Sequence, residues 1–341
     1  MNGIFTAQRI KLAGAAGGFV LLLICFASSV LLGSTTIDWR TAKSAIVQYD
    51  KTDSNQVIVR TARLPRAVTA VGVGASLAIA GALMQALTRN PLASPSVLGV
   101  NAGATFFIVL SITFFSFKNM QSLMWVAFVG AAVGSVVVYM LGSLGRGGLT
   151  PLKIILAGSA MTALFSSFTQ GMLVLNQTGF QSVIFWLTGS ISRQEMNAVA
   201  LVLPYMAAGW VAALLVARQI NLFMLGEDSA AGLGQRTGLI KIAAGAIIVV
   251  LAGASVSIAG PIALIGVMIP HIGRYLVGND YRWLVPYCGL LGAVLLLIAD
   301  IAARFIVIPE EMPVGVMTAA IGAPFFIYLA RRELSQREAA R

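Results

Sequence analysis

Ten apolar runs, most of them long enough to cross a membrane, occupy the greater part of this 341-residue chain. A helix needs about 20 apolar residues to cross about 30 Å of hydrocarbon at 1.5 Å per residue. Charged residues make up only 10% of the chain and hydrophobic residues 58%, whereas a soluble domain carries roughly 25% charged residues. The sequence therefore excludes a single water-soluble core. It predicts an all-α, polytopic membrane protein with about ten transmembrane helices.

The apolar runs also set the order of the expected spans, of which the eighth is short enough to be tilted or partly enclosed by protein. An even number of spans places both termini on one side, and the basic residues divide 14 to 9 in favour of the cytoplasm for that side. No second domain is apparent, so residues 1–341 are expected to form a single transmembrane domain. The expected spans are 12–32, 67–87, 97–117, 123–144, 152–175, 198–217, 239–258, 262–277, 283–303 and 314–330.

Most kinds of chemistry are disfavoured by the remaining composition. The net charge of +11 comes from basic residues that lie mainly between apolar runs, where lipid headgroups meet them, so no nucleic-acid partner is expected. No G-x-x-x-x-G-K-[ST] loop is present, and His271 has no metal ligands at suitable spacing. Cys25 and Cys288 are interpreted as buried small hydrophobes. We therefore expect a protein that is not an enzyme and that needs no metal or cofactor.

Several motifs follow one another along the chain in a specific order. They are Arg63-Leu64-Pro65-Arg66, Asn90-Pro91-Leu92-Ala93, Gly226-Glu227-Asp228-Ser229-Ala230-Ala231-Gly232-Leu233-Gly234, Gly266-Val267-Met268-Ile269-Pro270-His271-Ile272-Gly273-Arg274, and Ala299-Asp300-Ile301-Ala302-Ala303-Arg304 with Glu311-Met312-Pro313-Val314-Gly315. With these motifs, the chain from about residue 60 to residue 332 resembles the permeases of iron–siderophore, haem and vitamin B12 ABC importers, the FecCD-like permeases of type II importers.

The resemblance implies a fold, an assembly and a cargo. It implies ten helices in the bacterial cell (inner) membrane, a second permease that is identical or paralogous, and two P-loop ATPase subunits on the cytoplasmic side. It also implies an extracytoplasmic substrate-binding protein that delivers a metal chelate, here expected to be a ferric siderophore, with haem or cobalamin as the alternative. Outside the family, the alternatives are a structural scaffold and an ion-coupled secondary transporter. Such a transporter would need acidic residues at mid-membrane, for which Asp300 is the clear candidate.

Three arginines stand at the outer rim of the expected topology. Arg63 and Arg66 flank Pro65 before the second span, and Arg304 ends the ninth. Because positive charge is disfavoured on that side, an external anionic partner would explain them, and guanidinium groups pair bidentately with carboxylates. The resemblance implies that they dock the binding protein by receiving its glutamates. The alternatives are snorkelling to lipid phosphate and an i, i+4 pair of Arg304 with Asp300.

The stretch 226–238 lies between the sixth and seventh spans, on the expected cytoplasmic side. Its glycines bracket a short helix whose first turn carries two acidic residues, which is favourable for the helix dipole. The resemblance implies that this is the coupling segment that inserts into a cleft of the ATPase, and the alternative is a plain solvated loop. The residues that it assigns to coupling are Gly226, Glu227, Asp228, Ala230, Leu233 and Gly234.

A turn at Asn90, Pro91 and Leu92 connects the second and third spans on the same side. Pro91 cannot continue a helix, so the turn can present side chains at the axis of the pathway. The resemblance implies that this turn and Thr150, before the fifth span, contribute a cytoplasmic gate. Residue 151 is proline where related permeases often carry a small polar residue. A purely structural turn is the alternative.

Small residues recur four positions apart within several of the expected spans. Such residues share one face of a helix and allow another backbone to approach closely. The pattern predicts tight packing within the chain, with a subunit interface as the alternative. The residues are Gly14 and Gly18; Gly74, Ala78 and Ala82; Gly99 and Gly103; and Gly130 and Gly134.

Overall fold

A computed structural model describes residues 3–33, 35–115, 119–144, 150–175, 187–192, 194–307 and 310–339. Every regular element within these ranges is helical. A π-helical turn at Val59–Arg63 precedes α4, and a 3₁₀ turn at Pro95–Leu98 precedes α5. The α-helices in chain order are α1 Gln8–Leu31, α2 Trp39–Val47, α3 Ser54–Ile58, α4 Leu64–Thr88, α5 Val100–Phe115, α6 Met120–Ser143, α7 Pro151–Leu175, α8 Met196–Phe223, α9 Glu227–Gly232, α10 Thr237–Ala259, α11 Ile265–Val277, α12 Tyr281–Ile306 and α13 Val314–Ala339.

The long helices account for the expected spans. Among the described residues, 7 helical stretches are long and apolar enough to cross a membrane, namely α1, the continuous α3–α4 stretch Ser54–Thr88, α6, α7, α8, α10 and α12. Three shorter apolar helices, α5, α11 and the first part of α13, coincide with the third, eighth and tenth expected spans. Residues 116 and 117 of the third expected span lie outside the described residues. The prediction of an all-α, polytopic membrane protein is confirmed.

The second span starts earlier than its hydropathy predicts. The sequence predicts a span from residue 67, whereas the structure is helical from Ser54 through the π-helical turn into α4. The Asp53 side chain caps the first turn by accepting a hydrogen bond from the Asn55 N–H, at 2.9 Å. Pro65 stands in the first turn of α4, where its missing N–H is harmless. The polar extension therefore continues the spanning helix beyond its apolar part.

The eighth span is shorter than its apolar run. The run begins at residue 262, but α11 begins only at Ile265, after a non-helical stretch that includes Pro261. Gly260 and Leu264 bracket that stretch, both with a φ of 69°. The Ser190 N–H donates to the carbonyl of Ala259 at 2.9 Å. Irregular backbone of this kind persists in a membrane protein only where protein or a water-filled pathway surrounds it.

Helix α4 lies at the centre of the bundle, and nearly all of its residues are buried. Its small residues allow direct backbone contact with two later helices. A Cβ on Gly81 would overlap the carbonyl oxygen of Gly266 in α11, and a Cβ on Gly74 would overlap that of Gly292 in α12. Gly103 and Gly130 face each other in the same way between α5 and α6. At these positions the small residues serve packing within the chain, as predicted.

Valine at position 81 is expected to push α4 away from α11, because the clashing atom is backbone and cannot rotate aside. Overpacking costs about 1–3 kcal/mol, and a clash with backbone belongs at the upper end of that range. We expect Gly81→Val to lower the melting temperature in detergent by several degrees. Gly245→Val is the control, because a Cβ there meets nothing within 4 Å. Equal loss of stability in the two variants would contradict the predicted backbone clash between α4 and α11.

Candidate functional site

The predicted site residues lie at the two ends of α4. At 1.5 Å per residue, this helix of 25 residues separates its ends by about 37 Å. We call the end that carries Arg63, Arg66 and Arg304 the arginine end. The other end, where the turn at Asn90 lies close to the beginning of α9, is called the loop end.

Arg66 is held by two carboxylates at the arginine end. Its Nε donates to Asp300 Oδ1 at 2.7 Å, and its Nη1 donates to Glu311 Oε2 at 2.6 Å. The side chain of Asp300 is fully buried, whereas that of Glu311 is 40% exposed. These ion pairs tie α4 both to α12 and to the segment that precedes α13.

Arg304 joins the same carboxylate to the end of α1. Its Nη2 forms an ion pair with Asp300 Oδ2, and its Nη1 donates to the carbonyls of Ser29 and Leu32 at 2.7 and 2.8 Å. Its Nε is buried and has no hydrogen-bond partner among the described residues. The i, i+4 pair with Asp300, which the sequence left open as an alternative, is therefore present.

Arg63 caps the same helix end without a carboxylate. Its Nη1 donates to the carbonyls of Val30 and Leu31 at 3.0 and 2.7 Å, and its Nη2 donates to the carbonyl and hydroxyl of Thr35. The last carbonyls of a helix lack partners within the helix and carry its negative dipole end. A guanidinium satisfies both needs, so Arg63 and Arg304 together hold the C-terminus of α1.

Among the described residues that make these contacts, three guanidinium groups meet two carboxylates at the arginine end, which leaves one positive charge in excess. The three arginines line one cavity of about 290 Å³ together with Glu311 and Ser192. The structure thus brings Arg63, Arg66 and Arg304 together, as the sequence predicts. They are only 6–7% exposed, however, and their hydrogen bonds go to this chain's own groups.

The loop end carries a short surface helix, α9, with a defined stop. The N–H of Gln235 donates to the carbonyl of Ala230 and the N–H of Gly234 to that of Ala231, both at 2.9 Å. This pair of bonds is a Schellman motif, and Gly234 supplies the left-handed residue that it needs, with a φ of 83°. Ala230 is fully buried, whereas Leu233 is 66% exposed. The predicted short helix is confirmed, and it projects an apolar side chain from the surface.

The acidic first turn of α9 is anchored to α10. Lys241 Nζ lies 2.6 Å from Glu227 Oε1, and this hydrogen-bonded ammonium holds the pKa of Glu227 below its ordinary value. The bridge therefore contributes stability above the ordinary glutamate range and loses it as the pH falls through the lowered pKa. Asp228, next to Glu227, is exposed. Gly226, with a φ of 124°, supplies the sharp entry to the helix.

The turn after α4 is closed by its first residue. Asn90 Oδ1 accepts from the Leu92 N–H at 2.9 Å, and the Asn90 carbonyl accepts from the Ala93 N–H at 3.1 Å. This Asx turn accommodates Pro91, which is exposed. Thr150 instead caps α7, since its hydroxyl accepts from the Lys153 N–H at 3.4 Å. Helix α7 contacts the chain after this turn at Gly158, which packs against the Val97 carbonyl.

Arg89 connects this turn to the chain just before α9. Its Nη2 donates to the carbonyl of Phe223 at 3.3 Å, and its guanidinium carbon lies 5.1 Å from the centre of the Phe223 ring. Phe223 is the last residue of α8, and α9 begins at Glu227. Arg89 is therefore a side-chain link between the turn at Asn90 and the chain that leads into α9. Local sequence does not single out Arg89, because its partner is remote in the chain.

The other polar motifs have structural partners. Gln85 Nε2 donates to the carbonyl of Gly266 at 3.2 Å, and its Oε1 accepts from Arg274. His271 lies edge-on to Phe325 at 5.9 Å. The described residues contain no group of three or more His, Cys, Asp or Glu side chains that could hold a metal ion. Arg274 and Gln85 thus join α11 to α4 near the loop end.

Comparisons with known proteins extend over nearly the whole chain. The sequence matches the FecCD transport family over residues 21–332. It is 52% identical over 312 residues to the "Probable siderophore transport system permease protein YfiZ" of Bacillus subtilis, an alignment that covers 92% of this chain and 93% of the relative. It is 41% identical over 320 residues to the ferric enterobactin transport system permease protein FepD of Escherichia coli, covering 93% and 94%.

A solved structure has the same arrangement of helices. It is described as "An inward-facing conformation of a putative metal-chelate type ABC transporter", and it matches with a TM-score of 0.82 at 29% sequence identity. The match covers 93% of this chain and 98% of the solved one. The similarity in sequence and the similarity in structure therefore identify the same kind of protein.

Proposed function

Because the chain belongs to the FecCD transport family, whose members are multi-pass permeases of ABC importers in the cell membrane, we propose that it translocates a ferric siderophore into the cytoplasm. The observation that carries this proposal is near full-length similarity to permeases named for siderophore and ferric enterobactin transport. In this family the ATPase is a separate subunit, and the permease catalyses no bond chemistry. Two ATPase subunits, a second permease and a substrate-binding protein complete the proposed assembly.

We propose that the loop end faces the cytoplasm and that residues 1–341 act as one permease domain with both termini on that side. The path of the chain supports the placement of both termini at the loop end. The N–H groups of Ile4 and Phe5 donate to the carbonyls of Tyr275 and Leu276, at the end of α11, at 3.0 and 2.8 Å. Helix α13 begins close to the arginine end, where the Met312 N–H donates to the Ala303 carbonyl at 3.2 Å, and runs away from it.

Residues 226–238 are proposed as the segment that couples the permease to the ATPase. The support is an exposed apolar side chain, Leu233, directly after a short helix that carries two carboxylates in its first turn and is capped at its end. Asn90, Pro91, Leu92 and Thr150 are proposed to contribute the cytoplasmic gate. The proposal for the first three is supported by the hydrogen bond from Arg89 to the Phe223 carbonyl. Thr150 is proposed because the sequence resembles the family. ATP binding in the partner would move the segment and bias the permease between outward-facing and inward-facing states.

Arg63, Arg66 and Arg304 are proposed as the docking residues for the binding protein. The support is their convergence on one cavity with an excess positive charge. That charge would attract a carboxylate of the binding protein. The hydrogen bonds of Arg63 go to neutral oxygens among the described residues, so Arg63 adds a positive charge without a paired carboxylate beside Arg66, where the incoming carboxylate would bind.

The proposed function is tested by uptake of radiolabelled ferric hydroxamate and ferric catecholate siderophores in a strain that lacks this chain. Restoring the gene should restore uptake of one of them, and uptake should disappear when the Walker lysine of the partner ATPase is replaced. Haem and cobalamin are tested in parallel, because either would identify the alternative cargo. Uptake that continues without the ATPase, and stops when the ion gradient is collapsed, would refute the importer assignment.

Arg63→Gln is expected to weaken association with the binding protein about tenfold, equivalent to about 1.4 kcal/mol, while the permease still inserts and folds. Glutamine keeps a donor for the carbonyls of α1 but removes the charge. Affinity is measured by surface plasmon resonance on the permease–ATPase assembly in nanodiscs. Arg40→Gln is the matched control, because Arg40 is an exposed arginine on α2. Unchanged affinity in Arg63→Gln would remove Arg63 from the docking site.

A further inference from the structure

We propose that Glu311 is an internal substitute for the binding protein's carboxylate: it occupies Arg66 in the free permease and is displaced on docking. This inference rests on the proposed docking at the arginine end and concerns the regulation of that site. It assigns to Glu311 a role as a competitor rather than as a docking residue. The group that displaces Glu311 from Arg66 is a carboxylate on an extracytoplasmic protein.

The two carboxylates that hold Arg66 differ in a way that makes one of them replaceable. Asp300 is fully buried and pairs with both Arg66 and Arg304, so its removal would leave two buried cations without their shared partner. Glu311 pairs only with Arg66 among the described residues, and its side chain is 40% exposed. An incoming carboxylate can therefore reach the place of Glu311 but not that of Asp300.

The backbone around Glu311 also permits exchange. Residues 310–313 form no helix, so Glu311 does not belong to a regular helical element. The cavity beside Glu311 measures about 290 Å³ and is lined by all three arginines, which leaves space for a second carboxylate before the first departs. Arg66 also keeps its ion pair with Asp300 throughout the exchange, so it is never left as an unpaired buried cation, which would be costly.

Release of Glu311 has a direct route into the helix bundle. Glu311 lies three residues before the first residue of α13, Val314. The N–H of Gly315 donates to the carbonyl of Gly189 at 3.0 Å. A Cβ on Gly315 would overlap the carbonyl of Thr188, so the two segments are in direct backbone contact. Exchange at Arg66 therefore acts at the beginning of α13 and on the segment 187–192 that packs against it.

Competition of this kind predicts a gain of affinity when the internal carboxylate is removed. The apparent dissociation constant equals the intrinsic one divided by the fraction of molecules in which Arg66 is free to bind. If Glu311 occupies Arg66 in about four-fifths of the molecules, its loss tightens binding about fivefold. A residue that merely stabilised the docking surface would have the opposite effect on affinity.

The test compares Glu311→Gln with Glu310→Gln. Glutamine keeps the size of the side chain and removes its charge, and Glu310 is the exposed neighbouring glutamate. The probe is the substrate-binding protein required for uptake through this permease, purified and loaded with ferric chelate. It is titrated onto the permease–ATPase assembly in nanodiscs. We expect Glu311→Gln to bind about fivefold tighter and Glu310→Gln to bind as the wild type does.

Unchanged or weaker binding by Glu311→Gln would overturn the inference. The affinity of Arg63→Gln, measured in the same experiment, distinguishes failure of the competitor role from failure of docking itself. Weaker binding by Arg63→Gln without tighter binding by Glu311→Gln leaves docking intact and refutes only the competitor, whereas no effect of either variant refutes docking itself. If Glu311→Gln does not accumulate in the membrane, Glu311→Asp takes its place. It retains the charge but withdraws it from Arg66, so it should tighten binding to a smaller extent.

Discussion

Alanine at position 300 is expected to destabilise the permease by about 3–5 kcal/mol, which is the usual cost of removing one partner from a buried ion pair. The Asp300 side chain is fully buried and forms ion pairs with both Arg66 and Arg304. Its loss leaves two buried guanidinium groups with only one carboxylate, Glu311, among their described partners. We expect Asp300→Ala to accumulate poorly in membranes and, in detergent, to unfold at markedly lower temperature than the wild type.

Two comparisons make this result specific to the buried network. Asp38→Ala removes an exposed carboxylate whose side chain makes no capping hydrogen bond, so it should change stability by less than about 0.5 kcal/mol. The double variant Asp300→Leu with Arg304→Met should lose less stability than the two single variants together, because it removes both charges. Asp300→Ala with wild-type stability would show that the charges are solvated in the membrane-embedded protein.

The number and order of the spans could be predicted from hydropathy, but their ends could not. Crossing hydrocarbon requires a long apolar run whatever packs against it, so each run coincides with a helix. The ends depend on backbone chemistry that hydropathy does not measure. Polar residues from Ser54 continue a spanning helix, whereas the apolar residues 262–264 are not helical. These three residues follow Pro261, which lacks an N–H, and the last of them, Leu264, has its backbone in the left-handed region.

The arginines were recognisable from local sequence, but the partners that define their environment were not. Arg66 contacts Asp300 across 234 positions of the chain and Glu311 across 245. No periodicity within a helix encodes such a distance, because helix packing sets it. Arg304 and Asp300, only four positions apart, are the exception, and their pairing was foreseeable from helix geometry. The same reason hid the contact of Arg89 with Phe223, across 134 positions.

Aspartate at position 233 is expected to reduce uptake more than tenfold while leaving the fold of the permease intact. Leu233 is 66% exposed, and its hydrogen bond, from its N–H to the Ser229 carbonyl at 3.1 Å, involves backbone only. The substitution should therefore change stability by less than about 0.5 kcal/mol. At an interface, by contrast, burial of a leucine side chain contributes about 1.5–3 kcal/mol. The new carboxylate would also add like charge to a segment that already carries Glu227 and Asp228.

ATP hydrolysis and uptake, measured together in proteoliposomes, distinguish uncoupling from misfolding. With Leu233→Asp, loaded binding protein should no longer stimulate hydrolysis, and uptake should fall although the permease retains its melting temperature. Leu233→Met keeps an apolar side chain of similar volume and should retain most of the coupling, since such replacements cost less than about 1.5 kcal/mol. Normal stimulation and uptake in Leu233→Asp would remove Leu233 from the contact with the ATPase. Loss of stability in the same variant would instead assign Leu233 to the fold.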